Sequence, residues 1–228
     1  MRILVLNSGG LDSTTVVGIA IEKAGKENVE TMSFQYGQRH LKELHCALDI
    51  ANDYGIINHM MAINLNQIGG SSLTDNTISI PKERGLHEMT IEIPNTWVPQ
   101  RNTLFLTWAH AFAEVNGFDE IWIGANQIDF SGYCDCRESF FKSLQETLNR
   151  GSRLWNERQK EIKIVAPLQF MNKASIIRLG INLNVPYNLT WSCYQGGEKA
   201  CGKCDSCKLR LNGFKEASQR DPIQYEEA

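Results

Sequence analysis

Ile3-Leu4-Val5-Leu6-Asn7-Ser8-Gly9-Gly10-Leu11-Asp12-Ser13 lies almost at the start of the chain, and its reading decides the fold. The apolar run Ile3 to Leu6 reads as a buried strand, and Asn7-Ser8-Gly9-Gly10 as a tight loop. Val16, Val17, Ala20, Ile21 and Ala24 then share one face of a helix that Gly25 stops. At such a strand–loop–helix junction, backbone N–H groups and the positive end of the helix dipole point at one place, which suits an anion. The glycines allow close backbone approach to phosphate oxygens, and the Ser8 and Ser13 hydroxyls add donors. The plainer reading of the same residues is a Gly-Gly turn with Asp12 or Ser13 as an ordinary helix cap.

Outward from this junction the rhythm repeats. Val29 to Tyr36 is rich in β-formers, residues 38–54 are helical in pattern, and Met60 to Leu65 suggests a third strand. Glu120 to Ala125 and Ile162 to Ala166 supply two more. Strands alternating with helices predict an α/β, doubly wound, mainly parallel sheet of about five strands. Residues 66–100 interrupt the rhythm as an irregular insert, with Thr77-Ile78-Ser79-Ile80 and Thr90-Ile91-Glu92-Ile93 as short strand candidates. The segment Asn102 to Asn116 is apolar nearly all round, which predicts a helix deep in the core or in an interface. Phe140, Phe141, Leu144 and Leu148 mark an amphipathic helix. The expected division is an α/β domain carrying that anion loop over 1–186 and a cysteine-rich region over 187–228, packed on the same core.

The 228 residues are 42% hydrophobic and 21% charged, with a formal net charge of −3, so nothing global favours nucleic acid or an anionic membrane. No apolar run approaches the roughly 20 residues needed to span a bilayer, and a cytoplasmic protein is expected. Seven cysteines are present, and Cys193, Cys201, Cys204 and Cys207 follow a C-x7-C-x2-C-x2-C pattern. That spacing predicts one structural zinc ion closed by thiolates, with an iron–sulfur cluster as the alternative. Gly197 to Lys203 imitates a Walker phosphate loop, but Cys204 stands where Ser or Thr should bind magnesium. Cys46 reads as a small buried apolar residue, and Cys134 with Cys136 forms a separate C-x-C.

Ser-Gly-Gly-Leu-Asp-Ser after an N-terminal strand resembles the signature of the PP-loop ATP pyrophosphatases. The resemblance implies cleavage of ATP between its α- and β-phosphates, a substrate activated by adenylation, and a loop that grips the pyrophosphate. Asn7, Ser8, Gly9, Gly10, Leu11, Asp12, Ser13, Thr14 and Thr15 are then the expected ATP contacts, with Mg²⁺ held by Asp12. Further stretches extend the likeness: Arg39-His40 with Glu43-Leu44, Val98-Pro99-Gln100-Arg101-Asn102 with Asn102 as helix cap, Gly124 to Arg137, and Thr190-Trp191-Ser192-Cys193-Tyr194. With the cysteines, they resemble the 7-cyano-7-deazaguanine synthase family of queuosine biosynthesis from Arg2 to about Ala217. This chain departs from the family's usual Gly or Ala at position 100 and Pro at 134, carrying Gln100 and Cys134.

What the second resemblance implies is an ATP-dependent ligase joining ammonia to 7-carboxy-7-deazaguanine, as a homodimer and without direct nucleic acid or membrane contact. Arg101 and Lys173 are expected to neutralise phosphate charge, and Arg137 to meet the substrate carboxylate or a phosphate. Asp129 and Asp135 are candidates for the guanine-like edge, Tyr133 and Trp191 for stacking on the ring. Duller roles exist for each: Asp135 as a helix cap completed by Glu138, Tyr133 and Trp191 as core or dimer contacts, Lys173 as a surface lysine. His40 reads as a packing or hydrogen-bonding residue rather than a base. Two other functions share the motifs. One is a tRNA thiolation or tRNA ligase enzyme, for which Cys134 and Cys136 would be the reactive pair. The other is a non-enzymatic nucleotide sensor with a zinc module.

Overall fold

The structure, a computed structural model, describes residues 1–85, 88–91, 93–128 and 133–227. In chain order its elements are β1 (Ile3–Leu6), α1 (Leu11–Ala24), β2 (Val29–Gln35), α2 (Lys42–Tyr54), β3 (Asn58–Ala62), α3 (Glu88–Ile91) and α4 (Arg101–Asn116). There follow β4 (Glu120–Ile123), α5 (Glu138–Arg150), α6 (Arg153–Arg158), β5 (Lys163–Val165), α7 (Lys173–Asn182) and α8 (Asp205–Glu216). The five strands form one sheet in the order β3-β2-β1-β4-β5, every neighbouring pair parallel.

Strand periodicity sorts the core into two layers. Leu4, Leu6, Met32, Phe34, Ile121 and Ile123 face one side, against Leu106, Ala109 and Ala113 of α4 and Phe141 of α5. Ile3, Val5 and Trp122 face the other, against Val16, Val17 and Ala20 of α1, Ile176 and Ile177 of α7 and Phe214 of α8. Truncating a fully buried member such as Leu106 to alanine costs roughly 2–5 kcal/mol in cores of this kind. Strand order reverses between β1 and β4, so the loops leaving those two strands diverge and open a crevice at their C-terminal ends.

Several local expectations are corrected. The helix expected over 38–54 begins only at Lys42, and β3 starts at Asn58 rather than Met60. Residues 77–80 are turns, not a strand. Asp75 Oδ1 accepts from the Thr77 amide at 2.8 Å and its hydroxyl at 2.6 Å, and Arg39 Nη2 donates to the carbonyls of Asp75 and Ile78. With their polar groups satisfied locally, these residues have no need of a ladder. The second strand candidate is instead partly the short helix α3.

Helix α4 is not submerged: Trp108 is 49% exposed and Val115 84%. One side meets the sheet through Leu106, Ala109 and Ala113, and the apolar residues of the other stay exposed. Asn102 does not cap it, because Gln100 does, in a left-handed conformation at φ 58°. Gln100 is where the resembled family was expected to carry Gly or Ala, and a left-handed non-glycine residue costs roughly 1–2 kcal/mol. Nor does Asp135 cap α5. It sits in a 3₁₀ turn over Cys134–Cys136, and Arg137 is the capping position, so no capping box with Glu138 forms.

Candidate active site

The loop after β1 is stiffened from within. The Asn7 side-chain oxygen accepts from the Gly9 amide at 3.0 Å, and the Ser13 hydroxyl takes the Ser8 amide at 3.2 Å. Ser8 and Ser13 hydroxyls lie 3.0 Å apart. Gly9 has φ +78°, and a Cβ there would stand 2.2 Å from the Glu43 carbonyl oxygen and 2.7 Å from the Ala47 amide of α2. Only glycine allows that approach. Gly124, in the loop after β4, lies as close to Ser13, whose amide would be 2.8 Å from an added Cβ. The two diverging loops therefore touch at the phosphate loop, and the N-terminus of α1 points into the crevice.

A cavity of about 290 Å³ opens there. Asn7, Ser8, Gly10, Leu11, Asp12 and Ser13 line it, and Lys173 at the first position of α7 reaches the same wall. Its Nζ lies 2.8 and 2.7 Å from the two Asp12 carboxylate oxygens. This ion pair, largely sheltered from water, fixes a cation beside the loop. Thr14 and Thr15 are buried and do not line the cavity. Their hydroxyls donate back to the Gly10 and Leu11 carbonyls at 2.7 and 2.9 Å. The expected ATP contacts thus divide into those that face the cavity and those, with Gly9, that build the loop from behind.

The facing wall is assembled from distant parts of the chain: Tyr36 at the end of β2, Glu43 on α2, Arg101 at the start of α4, Tyr133 and Tyr194. Burial works against charge on Arg101, but Tyr36, Tyr133 and Asp135 around it outweigh that and hold the guanidinium above its ordinary value. Burial pushes the Glu43 carboxyl up to about 7 against the pull of Arg101, with Cys193 adding to the rise. Burial likewise raises the phenols of Tyr36, Tyr133 and Tyr194. The Tyr133 hydroxyl lies 3.0 Å from that of Thr96, which ties the insert to this wall.

Near the C-terminus the four cysteines converge. Cys193, Cys201, Cys204 and Cys207 are all buried, with Sγ atoms within 4.8 Å of one another. Backbone amides of Gln195 and Cys201 donate to the Cys193 sulfur at 3.4 Å, and those of Lys203 and Cys204 to the Cys201 sulfur at 3.5 and 3.4 Å. Amide donors around a compact sulfur cluster suit thiolates sharing a cation, so these residues fit a metal ion. Hydrogen bonds from Cys204 and Cys207 hold the Cys193 thiol far below its ordinary value. The knuckle is bound to the cavity wall. The Trp191 amide donates to the Gly9 carbonyl at 2.8 Å, and Lys42 Nζ donates to the Gly197 and Glu198 carbonyls at 2.7 Å each. The His40 ring packs where a Gly196 side chain would be, in keeping with a packing role.

Of the other candidates, Arg137 is exposed and does not line the cavity. Asp135 is buried outside the lining, where the Cys136 thiol lies 4.0 Å from its carboxylate. Trp191 lines the cavity, but one ring face is covered by Lys42 Nζ at 3.5 Å and its indole N–H donates to the Cys193 carbonyl at 2.9 Å. It serves as a buried strut more than a free stacking platform. Asp129 lies outside the described residues. Sequence reasoning gave no role to Tyr36, Glu43, Phe105 or Tyr194, all of which line the cavity. For Glu43 a signal existed: it precedes Ala47 and Ile50 by four and seven residues, on the helix face that is otherwise apolar and buried.

The fold and cavity define an α/β protein with a glycine-bearing strand–loop–helix junction at a topological switch point and, beside it, a four-cysteine cluster that could hold a metal ion. The model of the queuosine biosynthesis protein QueC family matches residues 2–218, and the chain belongs to that family. The 7-cyano-7-deazaguanine synthase of Thermoplasma acidophilum is 49% identical over 99% of this chain and 92% of its own length. The synthase of the same description from Trichodesmium erythraeum is 49% identical over 98% and 100%. That from Clostridium kluyveri is 47% identical over 98% and 97%. Among solved structures, U34-tRNA thiolase NcsA from Methanococcus maripaludis gives a TM-score of 0.47 at 14% identity, over 95% of this chain and 67% of its own, a likeness too slight to bear on function. No helix among the described residues is long and apolar enough to cross a membrane.

Proposed function

We propose that this protein is an ATP-dependent carbon–nitrogen ligase that converts 7-carboxy-7-deazaguanine and ammonia into 7-cyano-7-deazaguanine. The observation that carries the reading is that the phosphate loop, Lys173 and Arg101 open into one cavity together with an aromatic-lined wall. A nucleotide and a flat acceptor can therefore meet there. The acceptor carboxylate attacks the α-phosphate of ATP, forming an acyl-adenylate and releasing pyrophosphate. Ammonia displaces AMP and loses a proton to leave the amide. A second ATP adenylates the amide oxygen, again releasing pyrophosphate and a proton. Elimination of AMP with the remaining N–H proton gives the nitrile.

Adenylation turns oxide into a leaving group twice, so two ATP are consumed per nitrile. In this reading the amides of the phosphate loop hold the departing pyrophosphate, and Lys173 and Arg101 offset the charge that develops on the phosphates. Asp12 would be the residue to hold Mg²⁺, which would supply further neutralisation. Tyr133 supports the acceptor ring. Zinc is the proposed ion of the four cysteines, closing the site structurally because four thiolates leave no position for water. The test is to mix the acid, ammonium and ATP with the enzyme and count products. Two AMP and two pyrophosphate per nitrile are expected, and no pyrophosphate would refute the reading.

Thiolation of tRNA finds no support at the C-x-C pair, because burial pushes the Cys136 thiol up to about 12 and removes its nucleophilic form. The net charge of −3 likewise favours free small molecules over nucleic acid as partners. The protein is proposed to work in the cytoplasm, where free thiols persist. Residues 1–186 and 187–228 are proposed as its nucleotide and metal regions. A homodimer is proposed through the exposed apolar stripe of α4 that includes Trp108 and Val115. Sedimentation of Val115→Glu as a monomer, with the parent a dimer, would support it.

A further inference from the structure

A guanine-like ring presents a ring N–H and an exocyclic amino group side by side, and a shielded site satisfies both donors best with one carboxylate. Among the described residues two carboxylates line the cavity, Asp12 and Glu43. Asp12 already receives Lys173 Nζ on both of its oxygens, at 2.8 and 2.7 Å. Glu43 makes no hydrogen bond or ion pair among the described residues, although burial opposes its charge. A sheltered carboxylate without a donor is costly, and the cost is removed when a ligand brings the donors.

Its position is that of an acceptor subsite. The Glu43 carbonyl backs directly onto Gly9, so the residue stands against the phosphate loop. Tyr36, Phe105 and Tyr133 line the same cavity, offering aromatic faces for a flat ring. Arg101 lies near enough to lower the Glu43 titration, so a cation and a carboxylate share this wall without neutralising each other through an ion pair among the described residues. Asp135, the sequence-based candidate, is outside the lining.

We infer that Glu43 is the specificity-determining residue for the acceptor, its carboxylate accepting the ring N–H and the exocyclic amino N–H of the deazaguanine edge while the acceptor's own carboxylate lies toward Arg101 and the phosphate loop. This rests on the ligase reading above. The test compares 7-carboxy-7-deazaguanine with its analogue lacking the exocyclic amino group, by AMP release from the zinc-loaded enzyme with ammonium and ATP. The parent enzyme discriminates by about 100-fold or more in kcat/KM, as sites built around a substrate N–H do. Glu43→Gln raises KM for the true acceptor by about 100-fold and brings the two acceptors within about fivefold, while KM for ATP moves less than about twofold.

Discrimination retained in Glu43→Gln overturns the inference, as does its loss in Asp129→Asn with Glu43→Gln unaffected. Should Glu43→Gln fail to fold, Glu43→Asp, which withdraws the same charge by one methylene, serves in its place. A raised acceptor KM with narrowed discrimination supports the assignment, and unchanged values refute it. If the parent enzyme releases no AMP with either acid, the ligase reading itself has failed. That result is distinct from any outcome in which the parent turns over and the variant does not discriminate differently.

Discussion

The wall made by Asn7 to Ser13 consists of neighbours in the chain, whereas the wall opposite is made of residues from distant parts of it, Tyr36, Glu43, Arg101, Tyr133 and Tyr194. The first is a backbone wall in that Gly9, against α2, and Gly124, against Ser13, have no space for a Cβ behind it. The second wall is a side-chain wall, its residues delivered by separate elements. The backbone wall suits the string of phosphates of the proposed reaction. The side-chain wall suits its proposed acceptor. The two are joined by α2, which packs on Gly9 with one turn and carries Glu43 into the cavity, and by the segment Trp191–Tyr194 that enters the cysteine knuckle.

Because that segment braces both walls, the largest effect is expected from the knuckle. Cys204→Ser, or prolonged chelation, should release the metal proposed for the knuckle, lower stability by on the order of 5 kcal/mol and abolish pyrophosphate release. Metal analysis with thermal melting checks it, and unchanged melting would detach the knuckle from the fold. Next comes the backbone wall. Gly9→Ala, at φ +78° with the Glu43 carbonyl in the way, should cost about 3 kcal/mol and eliminate ATP turnover, measured by denaturant unfolding and pyrophosphate assay. Lys173→Met should lower kcat by about 100-fold, roughly 2.7 kcal/mol of barrier, with only a small change in melting temperature.

The side-chain wall should reveal itself through pH. Glu43 titrates at about 7 when folded against an ordinary value of 4.5. The folded state therefore keeps the proton longer, so stability falls as pH rises from about 4.5 through 7 and the loss is complete by about pH 8. Glu43→Gln should remove that slope, standing about 1–2 kcal/mol above the parent at pH 8 and level with it at pH 4, in urea titrations. The smallest effect is expected at the C-x-C pair. Cys136→Ser should keep activity within about threefold, and a thiol reagent at neutral pH should label exposed Cys134 but not Cys136.

Legibility followed the same division. Strand, loop and helix at residues 3–24 were readable because apolar run, glycines and helical period are consecutive, and the cysteine spacing was readable because its ligands return within a short loop. Asp135 looked like a cap because its spacing to Glu138 was right, yet the chain enters α5 two residues later from a 3₁₀ turn. Residues 77–80 had β-forming composition, but an Asp75 turn and Arg39 claimed their backbone. Neither competitor can be seen from composition or spacing alone.

The sequence by itself determined the parallel α/β architecture, the place of the phosphate loop and the four-cysteine cluster, since each depends on interactions among near neighbours. Tertiary structure decided which side chains complete the cavity: Glu43, Tyr36 and Tyr194 included, Arg137 and Asp135 outside. The physical reason is that those positions depend on how α2, α4 and the knuckle pack against the sheet and on one another. Such packing is a sum over contacts between distant residues, and no local pattern encodes it.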